Sequence, residues 1–358
     1  MVLAAAGGFV LILVVLWDAF ETIVLPRRAS SRFRLTRLFY RATWPSFAAI
    51  GRRRRAGVAR ENFLSIFGPL SLIGLLGTWA FALVLGFALV HWGLRSRLNL
   101  PADLRWFESD LYLSGTNFFT LGLGDVTPTS RAARVLTVVE AGTGFGFLAL
   151  VISYLPILAQ AFSRREASIA LLDARAGSPP SAAELLRRHA KPASDDALPA
   201  LLREWERWSA EVLESHISFP VLAYYRSQHD NQSWVAALTT VLDTCALVIA
   251  GIERAPVPAA RLTFAMARHA IADLSNVFRR TPVRGGADRL PPAELERLRR
   301  TLEDVGMPLA REAAAEERLA HLRGLYEPYA QALSRFLLMP LPPWLPPEGA
   351  QDNWQTTE

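Results

Sequence analysis

The sequence predicts an all-α fold in two parts: a membrane part of three transmembrane helices with a short re-entrant helix and loop between the second and third, then a helical cytosolic domain. Three observations predict it. Three apolar runs, near residues 2–25, 62–94 and 131–162, are each long enough to cross a bilayer at roughly 20 residues per span. Between the last two lies a stretch, residues 114–128, too short and too rich in Gly, Thr and Asp to cross by itself. From residue 163 onward, helical patterns alternate with Pro, Gly and Ser breaks.

The first span ends at Pro26, which cannot continue a helix. It is not read as a signal peptide, because it has no basic leading region and its apolar character outruns the usual length. Asp18 and Glu21 lie in its last third, at i and i+3 on one helix face, where pairing with Arg27, Arg28 or another helix would neutralise them.

Residues 27–61 form a basic loop. Arg34, Arg37 and Arg41 follow i, i+3, i+7 beside Leu35, Leu38 and Phe39, an amphipathic pattern suited to an anionic inner leaflet. The segment is too short and too polar to be a voltage sensor, and Pro45 is expected to break it. The second span, 62–94, exceeds the hydrocarbon thickness and should tilt or project. Its Gly68, Gly74, Gly77 and Gly86 permit close helix packing; Trp79 is placed as a packing residue, and His91 with Trp92 at the outer interface. A short link, 95–107, precedes a helix over 108–119. Residues 120–125 are expected to be non-helical. The third span, 131–162, carries Gly142, Gly144 and Gly146, and Pro156 should kink its lower part.

Charge sets the orientation. Eleven arginines and one acid, Glu61, occupy the loop after the first span, while the loop 94–131 is nearly balanced. The positive-inside rule then places Met1 outside and the C-terminal region in the cytosol, with Arg164 and Arg165 at the inner end of the third span in agreement. The same arginines account for the net charge of +6 without nucleic acid. One cysteine, Cys245, excludes an intrachain disulfide framework.

The chemistry concentrates in Thr120-Leu-Gly122-Leu-Gly124-Asp125. Dehydrating a monovalent cation requires oxygens that replace its water shell, and backbone carbonyls supply them if they turn toward one axis. A regular strand alternates its carbonyls. Left-handed residues at alternate positions break that alternation, and glycine reaches that conformation without steric cost, as Gly122 and Gly124 would. Thr120 adds a side-chain oxygen, Leu121 and Leu123 are expected to pack behind the loop, and the preceding helix directs its C-terminal dipole at the site. Non-helical backbone at membrane depth is tolerated only where it lines a wet cavity inside protein.

In this order of span, short helix, Gly-rich loop, Asp, Pro128 and glycine-bearing span, residues 63–162 resemble the pore domain of the potassium channels. Gly144 lies 19 residues after Asp125, at the family's hinge spacing. The resemblance implies ion-coordinating carbonyls at Thr120, Leu121, Gly122 and Leu123, with Gly124 completing the filter. It also implies Asp125 at the outer mouth and a gating hinge at Gly144 with Pro156. Leu123 replaces the usual filter tyrosine, as in the second pore loop of some two-pore-domain channels, and removes a phenol clamp. Asn117 and Phe119 stand where threonine is common. Asp18 and Glu21 then gain a second reading, coupling the outer helix to a gate. Glu140, mid-membrane, would cost roughly 2.5–3.5 kcal/mol unpaired on the lower scales. It is expected to bond the pore helix at Ser114, Thr116 or Asn117, or else to act in cavity electrostatics or pH sensing. One loop cannot surround an ion, so the resemblance implies a homotetramer.

In the cytosolic part, Ser181 with Glu184 fits a capping box. Helices are expected near 197–216, 232–253, 257–279, 291–304 and 308–338, with an extended tail from Pro340. The run 234–252 is apolar enough for a fourth span, but Asp243 and three threonines favour a buried core helix. Arg284-Gly-Gly-Ala lacks a nucleotide-binding pattern, the histidines lack metal spacing, and no nucleophile–base arrangement stands out, so no enzyme, cofactor or named regulatory ligand is expected.

The expected domains are 1–26, 27–61, 62–163 (span 62–94, pore helix and filter 108–125, inner helix 132–162), 164–345 and a tail 346–358. The expected function is passive potassium conduction across the bacterial inner membrane. The alternatives are a weakly selective monovalent cation channel and a membrane-anchored helical sensor or scaffold.

Overall fold

The computed structural model describes residues 1–25, 34–99, 107–190, 196–229, 231–253, 255–283 and 285–349. In chain order these form α1 (Val2–Ala19), a π-helical turn (Phe20–Val24), α2 (Leu35–Arg53), α3 (Val58–Ser65), α4 (Phe67–Gly93), β1 (Leu98–Asn99), α5 (Phe107–Phe118), β2 (Thr127–Pro128), α6 (Arg131–Ala176), α7 (Ala182–His189), α8 (Ala197–Ser218), a 3₁₀ turn (Pro220–Tyr224), α9 (Trp234–Gly251), α10 (Val257–Val277), α11 (Pro292–Glu303) and α12 (Ala313–Leu337). Two compact units emerge: residues 1–47 with 66–159, and residues 48–65 with 160–358.

In the first unit, α1 packs antiparallel on α4. Small residues set the approach. A Cβ on Gly8 would overlap the Gly86 carbonyl oxygen, and one on Gly93 would overlap Ala5. Met1 therefore lies at the Gly93 end of α4. At the opposite end, Asp18 is buried and accepts from Trp79 Nε1 at 3.0 Å, Thr36 N at 3.0 Å and Thr36 Oγ1 at 2.6 Å. Arg34 Nε lies 3.8 Å from Asp18 and 3.5 Å from Glu21. The acids are thus answered by another helix and its lead-in, which takes Arg34 away from the leaflet. Arg27 and Arg28 fall outside the described residues. Trp79 is a hydrogen-bond donor as well as a packing residue.

Three expected boundaries are corrected. The second span divides at Ile66 into α3 and α4, because Pro69 cannot donate to the Ser65 carbonyl four residues back. Pro45 does not break α2; Tyr40, Trp44 and Phe47 pack around Phe67 on both sides of it, and these ring contacts outweigh one lost hydrogen bond. The inner helix does not stop at 162. α6 runs through Pro156 to Ala176 as one element, so the expected boundary at 163/164 falls inside it.

In the second unit, α8, α10 and α12 pack around α9. α9 is apolar and long enough to span a membrane, yet 89% of its most apolar window is buried within the protein, which makes it the core helix. Ser233 caps it by accepting from Ala236 N at 3.0 Å. Thr239, Thr240 and Thr244 return their hydroxyls to carbonyls four residues back. Its one acid, Asp243, has no exposed surface. It is bridged by Arg289 Nη2 at 2.6 Å and by the Tyr326 hydroxyl. Ser181 caps α7 by accepting from Glu184 N, but the Glu184 carboxylate turns to Arg187 and Arg188, so only half of the expected capping box forms. The tail is also corrected: Trp344 is fully buried and its carbonyl accepts from Ala183 N, so residues 340–345 dock rather than extend.

Arg165, on the part of α6 within this unit, is buried and donates to the Leu222 carbonyl at 2.8 Å, the Tyr225 carbonyl at 3.0 Å and Glu166. It also donates to His216 Nε2 at 3.2 Å, which leaves the imidazole proton on Nδ1, 2.8 Å from the Val212 carbonyl. Burial, then the Arg165 guanidinium, hold His216 well below its ordinary 6.5. The folded state therefore binds this proton less readily than the unfolded state, and the stability it contributes is present above the unfolded pKa and lost as pH falls below it. Thermal unfolding of the full chain should show a Tm that drops as pH is lowered from 7 to 5, and His216→Gln should flatten that slope. Removing one partner of the buried pair with Arg289→Ala should destabilise by about 3–5 kcal/mol, read as a lowered denaturation midpoint.

Candidate pore-loop site

The loop 120–125 is held from both ends. At its start α5 closes in a Schellman turn: Thr120 N donates to the Asn117 carbonyl at 3.0 Å and Leu121 N to the Thr116 carbonyl at 2.8 Å. That turn requires a left-handed residue, and Thr120 takes it with φ 56°. A β-branched residue there is strained by about 1–3 kcal/mol, a strain that persists only where the surroundings impose it. Gly122 and Gly124 follow at φ 57° and 80°, while Leu121 and Leu123 are not left-handed. Handedness thus alternates residue by residue from Thr120 to Gly124.

At its outer end, the Tyr112 hydroxyl donates to Asp125 Oδ2 at 2.7 Å, and Asp125 Oδ1 accepts from Val126 N at 3.1 Å. β1 pairs antiparallel with β2, and Thr129 donates to the Arg97 carbonyl from both its N and its Oγ1. The chain leaving the loop is therefore tied to the chain entering α5. Tyr112 was not singled out in the sequence. Its signal is that it is the one phenol in α5, and it supplies to Asp125 a phenol hydroxyl that Leu123 lacks.

Behind the loop, α5 is wedged between α4 and α6. A Cβ on Gly144 would overlap the Phe118 carbonyl oxygen, whereas Gly142 and Gly146 face open space within the chain. Gly144 is thus a close-approach residue as well as the residue at hinge spacing. Phe118 is buried against Phe147, while Phe119 is exposed. Glu140 has no exposed surface and meets the Ser114 hydroxyl, the first of its three expected partners. Asn117 contributes no direct hydrogen bond through Nδ2, which is buried without a partner among the described residues.

Two expectations are corrected. His91 is not interfacial. It has no exposed surface, its Nδ1 lies 2.9 Å from Ser96 Oγ and its Nε2 lies 3.7 Å from Glu140 Oε2. Leu121 and Leu123 do not pack behind the loop within one chain; they are 61% and 62% exposed. Both leucines lie between left-handed residues, and no described element covers them. Along α6, Val135, Val138, Val139, Phe145, Leu148 and Ile152 are exposed as well. Among the described residues, no group of His, Cys, Asp and Glu is arranged to hold a metal ion.

Residues 73–161 match the family model described as "Ion channel". This segment is an ion-channel pore domain. The matched span runs from α4 through the loop to the lower part of α6 and is a channel domain, not an enzyme. No curated protein and no solved structure matches the chain. The pore domain sits in a membrane protein in which, among the described residues, four helices are long and apolar enough to cross a bilayer, α9 included by length and composition alone. Gly144→Ala should force the end of α5 away from α6 and destabilise the pore domain by about 1–3 kcal/mol, whereas Gly142→Ala and Gly146→Ala should leave the single chain unstrained. Thermal unfolding of the three variants in detergent would separate them.

Proposed function

We propose that the protein is a potassium-selective channel of the bacterial inner membrane, conducting K+ passively as a homotetramer. The alternating left-handed backbone at Thr120, Gly122 and Gly124 carries this reading. It supports carbonyls of Thr120, Leu121, Gly122 and Leu123 turned toward one axis as the K+ ligands, with Gly124 ending the filter and Asp125 at its outer mouth. One such loop supplies a fraction of a coordination shell, and four about an axis complete it. The exposed leucines of the loop and the exposed apolar residues of α6 are the surfaces that the other copies and lipid would cover. Gly144 and Pro156 serve as the hinge of the inner helix, and Asn117 and Glu140 as its support on the pore helix.

Met1 and the filter mouth lie outside, and residues 164–345 form a cytosolic helical domain, as the arginine excess of residues 27–61 indicates. Antiparallel packing of α1 on α4 supports this, because it brings Met1 to the end of α4 that leads to the pore helix. The remaining arginines of that loop meet the anionic inner leaflet.

Leu123 favours a second reading, a weakly selective monovalent cation channel, because it lacks a phenol hydroxyl and stands exposed among the described residues. Reversal potential across a K+/Na+ gradient, with purified protein in planar bilayers, decides between them. A reversal near the K+ equilibrium value is expected. A reversal near zero would establish the weakly selective channel, and no current under any condition would leave a membrane-anchored scaffold. Gly122→Ala has room for its Cβ but not for its backbone angle, which costs about 1–3 kcal/mol. K+ current should be lost while the variant still assembles.

A further inference from the structure

Behind the filter, α4, α5 and α6 meet at more polar contacts than ordinary protonation can satisfy. Ser114 Oγ lies 2.7 Å from the Val84 carbonyl oxygen on α4 and also against the Glu140 carboxyl on α6. A hydroxyl has one hydrogen. If Ser114 donates to an ionised Glu140, its contact with Val84 sets two acceptors face to face. If it donates to Val84, Glu140 must itself carry a proton and donate to Ser114. Only the second arrangement makes both contacts hydrogen bonds. On the far side of the carboxyl, Glu140 Oε2 and His91 Nε2 lie 3.7 Å apart, neither has a hydrogen-bond partner among the described residues, and neither residue has exposed surface. Imidazole is the nearest group that can take the proton instead.

The charged and titratable groups around this junction are few. From α5, Asp110 is buried and faces His91. From α4 there is His91 and from α6 Glu140. α1, packed on the other side of α4, brings only the Met1 amino terminus to this end, since its Asp18 and Glu21 are bound to Trp79, Thr36 and Arg34 at the other.

We infer that a single proton shared between Glu140 and His91 positions the pore helix: on Glu140 it completes a chain from Glu140 through the Ser114 hydroxyl to the Val84 carbonyl, binding all three helices together. Moved to His91, it leaves an imidazolium beside a carboxylate, and Ser114 turns to Glu140 and releases Val84. Net charge is unchanged in that exchange, which separates one opposite pair of charges: the proton leaves one oxygen and binds one nitrogen. Losing the proton altogether strands a carboxylate in the interior, and gaining a second strands an imidazolium with Asp110 as the opposite charge facing it among the described residues, so the fastening holds within a bounded pH window. Ser114 stands two and three residues before Thr116 and Asn117, whose carbonyls anchor Leu121 and Thr120, so its hold reaches that end of the loop within one turn of helix. His91, Glu140 and Ser114 are positioning residues; none touches the ion.

The effect on current rests on the potassium-channel reading, whereas the proton does not, and the test separates them. Infrared spectra of the purified full chain should show the C=O stretch of a protonated carboxylic acid that is lost in Glu140→Gln, and Asp110→Asn should leave that part of the signal in place. Absence of a band assignable to Glu140 overturns the inference, whether or not the protein conducts. In bilayers, the wild-type K+/Na+ reversal potential should move with pH. Glu140→Gln, whose amide donates to Ser114 without an ionisable proton, should give one that does not, and Ser114→Ala should shift it toward zero at every pH. Should Glu140→Gln fail to assemble, His91→Gln provides the same flat profile. A pH profile unchanged from wild type in the variant that assembles also overturns it.

Discussion

Backbone that is not helical has no water to bond to at membrane depth, and the pore domain is arranged around meeting that constraint over five residues. The first amides of the loop, at Thr120 and Leu121, are consumed by the last carbonyls of α5. The far end is held by the Tyr112–Asp125 hydrogen bond and by the β1–β2 pair. What remains between the two anchors is a short run outside helix and strand. A strained threonine and two glycines take the conformations that make this possible, and rigid anchors on both sides keep that strain from relaxing.

The rest of the first unit follows from the need to hold α5 steady. Glycine at 144 lets its end approach α6 at backbone distance, and Ser114 reaches both flanking helices. α4 is braced from outside by α1, where small residues face small residues and the buried Asp18 links Trp79, Thr36 and Arg34. These contacts are polar and specific at the points where an apolar interface alone would allow sliding, since lipid solvates apolar helix faces as well as another helix does. The second unit is built differently. Its core helix α9 is as apolar as a span but is enclosed by protein, and one acid on it is matched by Arg289 and Tyr326.

Much of this was legible beforehand. Spans show in composition because the hydrocarbon core imposes a length, and the loop shows in its glycines because only glycine reaches left-handed backbone freely. Helices of the second unit were placed within a few residues because caps and breaks are local. The misses at Pro45, His91 and Trp344 are nonlocal. Pro45 was expected to stop a helix that aromatic packing on Phe67 sustains. His91 looked interfacial from its distance along the span, but it is buried facing the carboxyl group of Glu140, 49 positions later in the chain. Trp344 sat in a proline-rich tail that nothing local predicts to be buried.

The amino-acid sequence by itself determined the long apolar runs near residues 2–25, 62–94 and 131–162, the alternate glycines of the loop, the arginine asymmetry and the helical character of residues 163–345. Each of these is a property of a short window: a run of apolar side chains, a backbone preference, a local charge count. Only the tertiary structure decided that Thr120 closes the pore helix as a left-handed cap, that Tyr112 supplies the outer hydroxyl, that Gly144 admits the pore helix, and that His91 and Glu140 face each other across two helices. These depend on which helix faces come together, and that choice is made by packing between residues far apart in the chain.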